Sequence, residues 1–397
     1  MRTDFGAALD AVRKRLGAVL SGPGHRRRLA DIDTRIVVSG TRGKSTTTRW
    51  LHDAFYRRGY DTFAKITGDE PKVLYNGFVH DINRDATVRL YENERELSRF
   101  EDVDVAIVEN HGIRQYTTRL VNAQFVDPHL VFLTNVREDH LDSLGSDRRQ
   151  IARALARAVP DGTPVLCGEQ NETLRTYLKA ELDRRAAPVE FVTPPPTARS
   201  VPGSECVYGL NRVLDWFDEP LIPTETLHGY LDAFRPSWRH LDRGRVYNAA
   251  SANDVQSTEH IRQSLVGSWG PTIEPLLCLR ADRRGRTASF VRYLTSLYER
   301  DAINQAHVLG DNQRLFASNV PFPVRRLGPD DSPETHLTSA LSTGRPVILM
   351  GNAVTDEMQA VRSAIEERAI EGTASATAPL VEDSAPDERR DLGHEQD

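Results

Sequence analysis

Short apolar runs alternate with helical stretches along most of the chain, and this alternation constrains the fold more than any other feature of the sequence. Runs of this length, bounded by turn residues, are typical of buried strands. One series lies at 35–39, 103–109, 130–135 and 164–167, and a second lies at 246–249, 276–279, 306–309 and 346–350. Because repeated strand–helix–strand units form parallel sheets, the sequence predicts an α/β fold with two such units.

The break between the two series predicts where the domains divide. The chain has 397 residues, about twice the size of a usual domain, and prolines interrupt the pattern between residues 186 and 245. We expect a larger α/β domain at 31–235 and a smaller one at 236–370. An amphipathic helix with a basic linker would occupy 1–30, and an acidic disordered tail would occupy 371–397.

The distribution of charge excludes one broad class of function. The net charge is −6, and residues 371–397 hold eight acids against two arginines, so the rest of the chain is near neutral. A near-neutral body argues against a protein that binds nucleic acid through a broad basic face. Apolar residues make up 39% and charged residues 27% of the chain, which is a globular composition.

Other patterns bear on the cell compartment. No apolar run reaches the roughly 18 residues that a membrane-spanning helix needs, and the N-terminus lacks a secretory signal. We therefore expect a cytoplasmic chain. Its cysteines are widely spaced and odd in number, which fits buried, inert thiols better than disulfides or a zinc site. They are Cys167, Cys206 and Cys278.

Residues 4–20 have the apolar spacing of an amphipathic helix, which would end at residues 21–24. Arginines and a lysine lie between the apolar positions, and further arginines follow at 26–28. Such a helix can recruit a membrane subunit or pair two copies of the chain. The alternative is a helix that packs on its own domain.

The sharpest local signal is the sequence G-T-R-G-K-S at residues 40–45, which follows an apolar strand and precedes a helical stretch. In a phosphate-binding loop the glycines turn backbone N–H groups toward phosphate oxygens, the lysine reaches the β- and γ-phosphates, and the serine hydroxyl binds Mg²⁺. Lys44 and Ser45 would take these roles. The long-spaced form of the motif would need glycine where Val38 stands, so a glycine turn with a chance Lys-Ser remains the alternative.

A second segment, T-N-V-R-E-D-H-L-D at residues 134–142, lies at the end of a strand, where open α/β sheets bind their ligands. With the loop at 40–45, it makes the chain resemble the Mur ligase superfamily of ATP-dependent amide ligases. That superfamily carries a G-T-x-G-K-[ST] loop and a T-N-[IV]-x-x-D-H-[LM]-D segment. The strand at 104–109 is similar to the one that delivers a metal-binding glutamate in these enzymes. The resemblance implies that 31–235 is a Mur-type ATP-binding domain.

The resemblance also implies the cofactors, which are ATP and Mg²⁺, and the site residues. The implied catalytic residues are Lys44, Glu109, His140 and Arg239, the last as a linker arginine that reaches the γ-phosphate. The implied magnesium ligands are Ser45, Glu109 and His140. The implied nucleotide-binding residues are Gly40, Thr41, Arg42, Gly43, Lys44, Ser45, Thr46 and Asn253.

Several of these residues have a structural alternative. Glu109 could form a surface ion pair, and His140 could be a core residue at the start of a helix. Lys65 and Thr67 could either contact phosphate or substrate or belong to a solvated turn. Two more arginines, at 243 and 245, compete with the linker arginine. Residues 253, 254 and 257 fit a loop that closes the second domain on the nucleotide.

Within the superfamily, the chain is similar to the ligase subunits of poly-γ-glutamate (capsule) synthases. The similar segments are A-K-I-T-G at 64–68, N-A-A-S-A-N-D-V-Q-S-T at 248–258 and R-A-D-R-R-G-R at 280–286. Two departures stand out. No lysine between Lys72 and Lys179 can serve as the carbamylated lysine of many Mur ligases, and the N-terminus is amphipathic where these subunits carry an apolar membrane segment.

The function that this resemblance implies is extension of poly-γ-glutamate, or a similar poly-amino acid, through an acyl-phosphate intermediate. The expected partners are glutamate or a similar amino acid, the growing polyglutamate chain, a membrane-embedded synthase subunit and a second copy of the chain, with no nucleic acid. Recruitment by the membrane subunit would place the chain at the inner face of the cell membrane. Two alternatives stay open: a folylpolyglutamate-like or peptidoglycan-precursor ligase, and a non-catalytic subunit whose assembly ATP switches.

Overall fold

The computed structural model describes residues 22–68, 71–83, 91–111, 114–138, 144–252, 254–267, 272–326, 328 and 330–369. Two sheets of different size organise these residues. The larger sheet is built from the N-terminal part of the chain and the smaller one from the C-terminal part.

The larger sheet has eight strands in the order β4-β3-β2-β5-β1-β6-β7-β8. The strands are β1 (Thr34–Ser39), β2 (Thr62–Ile66), β3 (Lys72–Tyr75), β4 (Phe78–Asp81), β5 (Val105–Glu109), β6 (Leu130–Leu133), β7 (Val165–Cys167) and β8 (Val189–Phe191). The pairings of β3 with β2 and with β4 are antiparallel, and all the others in this sheet are parallel. Strands β5 and β6 are buried along their whole length, as expected for parallel strands covered on both faces.

Helices cover both faces of this sheet. Within the described residues they are α1 (22–30), α2 (Lys44–Tyr56), α3 (Glu92–Leu97), α4 (Gln115–Leu120), α5 (Arg148–Ala158), α6 (Glu172–Asp183), α7 (Ser204–Trp216) and α8 (Thr224–Phe234), and a π-helical turn at Val121–Val126 continues α4. One hydrophobic cluster joins α1, α5 and α6 to the sheet, and a second joins α2, α7 and α8. The first domain is thus a helix–sheet–helix sandwich.

The smaller sheet has six strands in the order β13-β12-β11-β14-β10-β9. They are β9 (Arg239–Leu241), β10 (Gly244–Asn248), β11 (Glu274–Leu279), β12 (Ala306–Gly310), β13 (Val324–Arg326) and β14 (Val347–Gly351), and all but β9 run parallel. Its helices are α9 (Val255–Val266), α10 (Arg284–Glu299), α11 (Gln313–Ala317), α12 (Pro333–Leu341) and α13 (Asp356–Glu367). The chain passes from one sheet to the other between α8 and β9.

The predicted α/β architecture is confirmed, and each of the eight predicted apolar runs contains a strand. The hairpin of β3 and β4 was not predicted, because its strands are four residues long and β4 is mostly exposed. The three cysteines are free and buried, as predicted. Burial raises the pKa of the Cys167 thiol to about 12 and that of Cys278 to about 11, which keeps both protonated.

Residues 22–30 form a helix, whereas the prediction placed a break at 21–24 and a basic linker after it. Proline is tolerated in the first turn of a helix, so Pro23 need not end one. Leu29 and Ile32 are buried in the core of the first domain, and the ring Nε2 of His25 lies 3.0 Å from the carbonyl oxygen of Phe125. Residues 1–21, with the whole predicted helix at 4–20, and the tail at 371–397 lie outside the described residues.

Among the helices of the described residues, none combines the length and apolar character needed to cross a bilayer.

The packing of α7 on β6 generates a stability prediction. A Cβ at Gly209 would lie 2.1 Å from the ring of Phe132, so Gly209→Ala forces buried groups apart. We expect it to lower the free energy of unfolding by about 1–3 kcal/mol, measured by urea denaturation.

Gly229→Ala in α8 is the matched control, because nothing lies within 4 Å of the Cβ it adds. Alanine is the better helix former by about 1 kcal/mol, so this variant should be as stable as the parent or more stable. Equal stability of the two variants would contradict the close packing of Gly209 on the Phe132 ring.

Candidate nucleotide and metal site

The loop at residues 40–45, called the P-loop below, connects β1 to α2 and needs its glycines. Gly40 has φ 112° and Gly43 has φ 80°, values that side chains rarely allow. A Cβ at Gly40 would lie 2.3 Å from Thr134 Oγ1, and one at Gly43 would lie 2.7 Å from Cys206 Sγ. Neighbouring side chains therefore pack directly against the loop backbone.

The P-loop ends at the N-terminus of α2, which has the features of an anion site. No side chain caps the helix at Gly43, and no acidic residue stands in its first turn. The N–H groups of a first turn carry a positive partial charge and bind anions such as phosphate. Lys44, the first residue of the helix, donates from Nζ to the carbonyl oxygen of Thr41 at 3.2 Å, which keeps its charge beside the loop.

The second motif holds the P-loop in shape. Thr41 donates its backbone N–H to the carbonyl oxygen of Asn135 at 3.1 Å. The side-chain Oδ1 of Asn135 accepts hydrogen bonds from the Thr41 hydroxyl at 2.9 Å and from the Arg42 N–H at 3.1 Å. The two segments identified in the sequence are thus hydrogen-bonded to each other.

Glu109 lies at the end of β5, where it is 3% exposed and faces the P-loop. Its Oε2 accepts hydrogen bonds from the Ser45 hydroxyl and from the Thr67 N–H, each at 3.0 Å. The alternative of a surface ion pair is wrong, because the carboxylate is buried and bound to the loop serine.

Ser45 and Glu109 together suit a hard divalent cation. A hydroxyl and a carboxylate supply the oxygen ligands that Mg²⁺ prefers, and a buried carboxylate beside a phosphate site would balance the cation's charge. His140, the third residue implied as a ligand, lies outside the described residues together with its neighbours at 139 and 141–143. The described residues hold no group of three or more His, Cys, Asp or Glu side chains that could bind a metal ion.

The alternative of a solvated turn at Lys65 and Thr67 is also wrong. Lys65 belongs to β2 and is fully buried, with its Nζ 2.9 Å from Glu92 Oε1. Thr67 is buried and touches Glu109 through its N–H. Thr67 therefore positions the carboxylate of Glu109 through this hydrogen bond.

The C-terminal domain reaches the P-loop through Asp254. The Nε of Arg42 lies 3.1 Å from Asp254 Oδ2, and the side chain of Asp254 is fully buried. The other oxygen, Oδ1, accepts the N–H of Ser257 and caps helix α9. The loop predicted to close on the nucleotide therefore contacts the nucleotide loop, although Asn253 itself lies outside the described residues.

Arg239 forms an ion pair within the C-terminal domain. It opens β9, and its Nη1 donates to Oε1 of Glu366 in α13 at 2.5 Å. Its competitor Arg245 lies with its guanidinium 5.7 Å from the Trp238 ring. The predicted contact of Arg239 with the γ-phosphate therefore stays a prediction.

Two buried glutamates escaped the sequence analysis. Glu205 of α7 accepts a hydrogen bond from Asn135 Nδ2 at 3.0 Å, and Glu169 accepts the Val136 N–H at 2.9 Å and lies 3.0 Å from Arg148 Nη2. Both carboxylates support the second motif from elements that are distant in sequence. No local pattern marks them.

Comparison with known proteins extends the resemblance seen in the sequence. Residues 38–177 match the family model of the Mur ligase middle domain, and residues 237–370 match that of the poly-gamma-glutamate synthase CapB C-terminal domain. The PGA synthase CapB of Bacillus subtilis (strain 168) is 23% identical over 289 residues, which cover 67% of this chain and 72% of that protein.

Solved structures share the fold. Escherichia coli FolC in complex with ADP aligns with a TM-score of 0.57 and 16% identity, over 87% of this chain and 92% of that one. The bifunctional folylpolyglutamate synthase/dihydrofolate synthase of Yersinia pestis, complexed with AMPPNP and Mn ion, aligns with a TM-score of 0.58 and 17% identity, over 86% and 91%. The resemblance to the Mur ligase superfamily is therefore confirmed: the chain joins a Mur ligase middle domain to a C-terminal domain of the CapB type.

Proposed function

We propose that the chain is an ATP-dependent amide ligase that extends poly-γ-glutamate or a similar poly-amino acid. One observation carries the proposal: Glu109 Oε2 lies 3.0 Å from the Ser45 hydroxyl at the start of an uncapped P-loop helix. That pair is what a nucleotide–Mg²⁺ site requires. The match of residues 237–370 to the CapB C-terminal domain supports the choice of a poly-amino acid as product.

The reaction begins by making a carboxylate electrophilic. An acceptor carboxylate attacks the γ-phosphorus of ATP, the bond to the β-phosphate oxygen breaks, and ADP leaves as an acyl phosphate forms. The amine of the incoming amino acid attacks the acyl carbon, loses a proton, and displaces inorganic phosphate. Lys44 and the first-turn N–H groups of α2 would offset charge on the transferring oxygens.

Ser45, Glu109 and His140 would hold Mg²⁺ in this scheme. The cation supplies further charge neutralisation on the phosphate oxygens when bound. Thr67 would keep Glu109 oriented through its N–H, so the carboxylate can meet the cation without first rearranging.

In the proposed reaction, contact between the two domains shields the acyl-phosphate intermediate from water. An acyl phosphate exposed to solvent hydrolyses, so the two domains must close over it. Arg42 and Asp254 already join the P-loop to the N-terminus of α9. In the proposed mechanism this contact couples nucleotide binding to closure.

We assign glutamate, or a similar amino acid, as the amine donor and the growing polyglutamate chain as the acceptor. A membrane-embedded synthase subunit would receive the product, which places the ligase at the inner face of the cell membrane. Residues 22–30 pack on their own domain through Leu29, which supports the packed alternative for that stretch. Any recruiting role, and any pairing of two copies, would fall to residues 1–21.

Amino-acid-dependent ADP release tests the proposal. The full chain is incubated with ATP, Mg²⁺ and a short γ-linked glutamate acceptor, and each amino acid of a panel is scored for ADP release and for acceptor elongation by mass spectrometry. Glutamate or a similar amino acid should stimulate both. ADP release without any added amino acid would support an ATP switch, and elongation of a folate acceptor alone would support a folylpolyglutamate-like ligase.

Lys44→Ala should abolish ATP turnover while leaving the melting temperature nearly unchanged. The lysine is half-buried at the surface of the loop, so its removal takes away a charge at the phosphates without opening the core. Lys179→Ala, which removes an exposed lysine from α6, is the control and should turn over ATP normally. Normal turnover by Lys44→Ala would remove the P-loop assignment.

Glu109→Gln and His140→Ala should each lower kcat by roughly 100-fold or more, because each would remove a ligand of the catalytic cation. Raising the Mg²⁺ concentration should restore part of the activity. Glu299→Gln changes an exposed carboxyl at the end of α10 and serves as the control. Full activity of either site variant at low Mg²⁺ would show that the residue is no ligand.

A further inference from the structure

An open, polar cavity of about 610 Å³ lies on the first domain along helix α5, which packs on the sheet in a different hydrophobic cluster from the P-loop helix α2. Residues of helix α5 line it together with Gln115, the first residue of α4. Leu144 and Asp147, which stand between the second motif and α5 in the sequence, line it as well. The function proposed above does not use this cavity, which we call the α5 groove.

Three arginines of α5 line the groove and dominate its charge: Arg149, Arg153 and Arg157. They are four residues apart, so all three lie along one face of the helix. All three are exposed. Among the described residues that line the groove, Asp147 is the one acid, and it already accepts the N–H and the side-chain amide of Gln150 as the cap of α5.

Contacts with Tyr177 hold two of these arginines in place. The guanidinium carbon of Arg149 lies 4.6 Å above the ring of Tyr177, and Arg153 Nε donates to the Tyr177 hydroxyl at 2.7 Å. In the part of the chain that the structure describes, neither of these two arginines forms an ion pair, whereas Arg157 is 3.3 Å from Glu181. The carboxylate of Asp147 attracts both guanidinium groups and that of Glu181 attracts Arg153, but both groups keep donors free of a direct carboxylate contact within the described residues.

Direct contacts connect the groove to the candidate active site. Arg148, the first residue of α5, donates from Nε to the carbonyl oxygen of Val136 at 2.9 Å. Arg137, which follows Val136 in the sequence, donates its N–H to the Thr41 hydroxyl in the P-loop at 2.7 Å. The arginine row therefore begins next to the residue that contacts the second motif, because Arg149 follows Arg148. The other arginines of the row lie further along α5.

We propose that the α5 groove binds the growing polycarboxylate chain behind its reactive end. The inference rests on the proposed function. Arginine is suited to this role because its guanidinium pairs with carboxylates through two parallel hydrogen bonds.

The spacing fits a γ-linked chain. Residues four apart in a helix are separated by about 6 Å along its axis. A γ-linked glutamate contributes five backbone bonds of roughly 1.3–1.5 Å, so its extended repeat is roughly 6 Å long and carries one free carboxylate. Because the repeat has an odd number of backbone bonds, the carboxylates of an extended chain of one stereochemistry alternate between its two sides, as side chains do in a strand, and recur on one side about every 12 Å. Arg149 and Arg157 are eight residues apart, about 12 Å along the helix axis, and can therefore meet two carboxylates of the same side. A nucleic acid backbone has similar spacing, so the experiment must separate these ligands.

The test measures binding of a fluorescein-labelled, γ-linked glutamate oligomer to the full chain without ATP, by fluorescence anisotropy. The triple variant Arg149→Gln, Arg153→Gln, Arg157→Gln should bind roughly 10-fold more weakly, as three exposed ion pairs would account for. The control variant Arg292→Gln, Arg314→Gln, Arg362→Gln removes the same charge from exposed positions of the C-terminal domain and should stay within about 2-fold of the parent at physiological salt.

Each single variant of the groove, checked for folding by its melting temperature, should show a graded loss if the triple variant fails to fold. Equal binding by parent and groove variants would overturn the proposal. Tighter binding of an oligothymidine or of anionic vesicles through the same arginines would also overturn it. The binding assay contains no ATP, so its result does not depend on turnover. If the chain binds the oligomer in this assay but releases no ADP in the turnover assay described above, the ligase function is refuted and the proposed role of the groove stands.

Discussion

Strand β1 lies between β5 and β6 in a parallel sheet, and the candidate site depends on this pairing. Val38 of β1 stands beside Glu109 of β5, and Ser39 stands beside Leu133 of β6. The loops that follow these three strands therefore emerge side by side at one edge. The P-loop, the carboxylate of Glu109 and the second motif meet there, as ligand sites of open α/β sheets do. In the sequence, Ser45 and Glu109 are 64 positions apart, and Thr41 and Asn135 are 94 positions apart.

The parts of this arrangement that were predictable are those with a local signature. Buried strands such as β5 and β6 appear as apolar runs, and the P-loop has a sequence that its backbone geometry requires. The buried state of Lys65 and Glu109 could not be predicted, because a single charged residue in a strand does not reveal which element will cover it. Glu205 and Glu169 were missed for the same reason: their partners, Asn135 and Val136, are close only in the folded chain.

Helix α1 shows how tertiary packing overrides a local break signal. Glycine and proline at 22–24 predicted a break, yet these residues are helical, and α1 packs on the first domain through His25 and Leu29. A similar lesson applies to Arg42 and Asp254. Their ion pair joins two domains across 212 positions of sequence, and it places the cap of α9 directly on the nucleotide loop.

The central claim is that phosphate is transferred to a carboxylate before the amide forms. It is tested most directly with an acceptor in which both oxygens of the reacting terminal carboxylate are ¹⁸O, incubated with ATP, Mg²⁺ and the stimulating amino acid. The carboxylate oxygen that attacks the γ-phosphorus leaves with the phosphate, so the account predicts one ¹⁸O atom in each inorganic phosphate released. Phosphate that carries no label while the acceptor is elongated would contradict it.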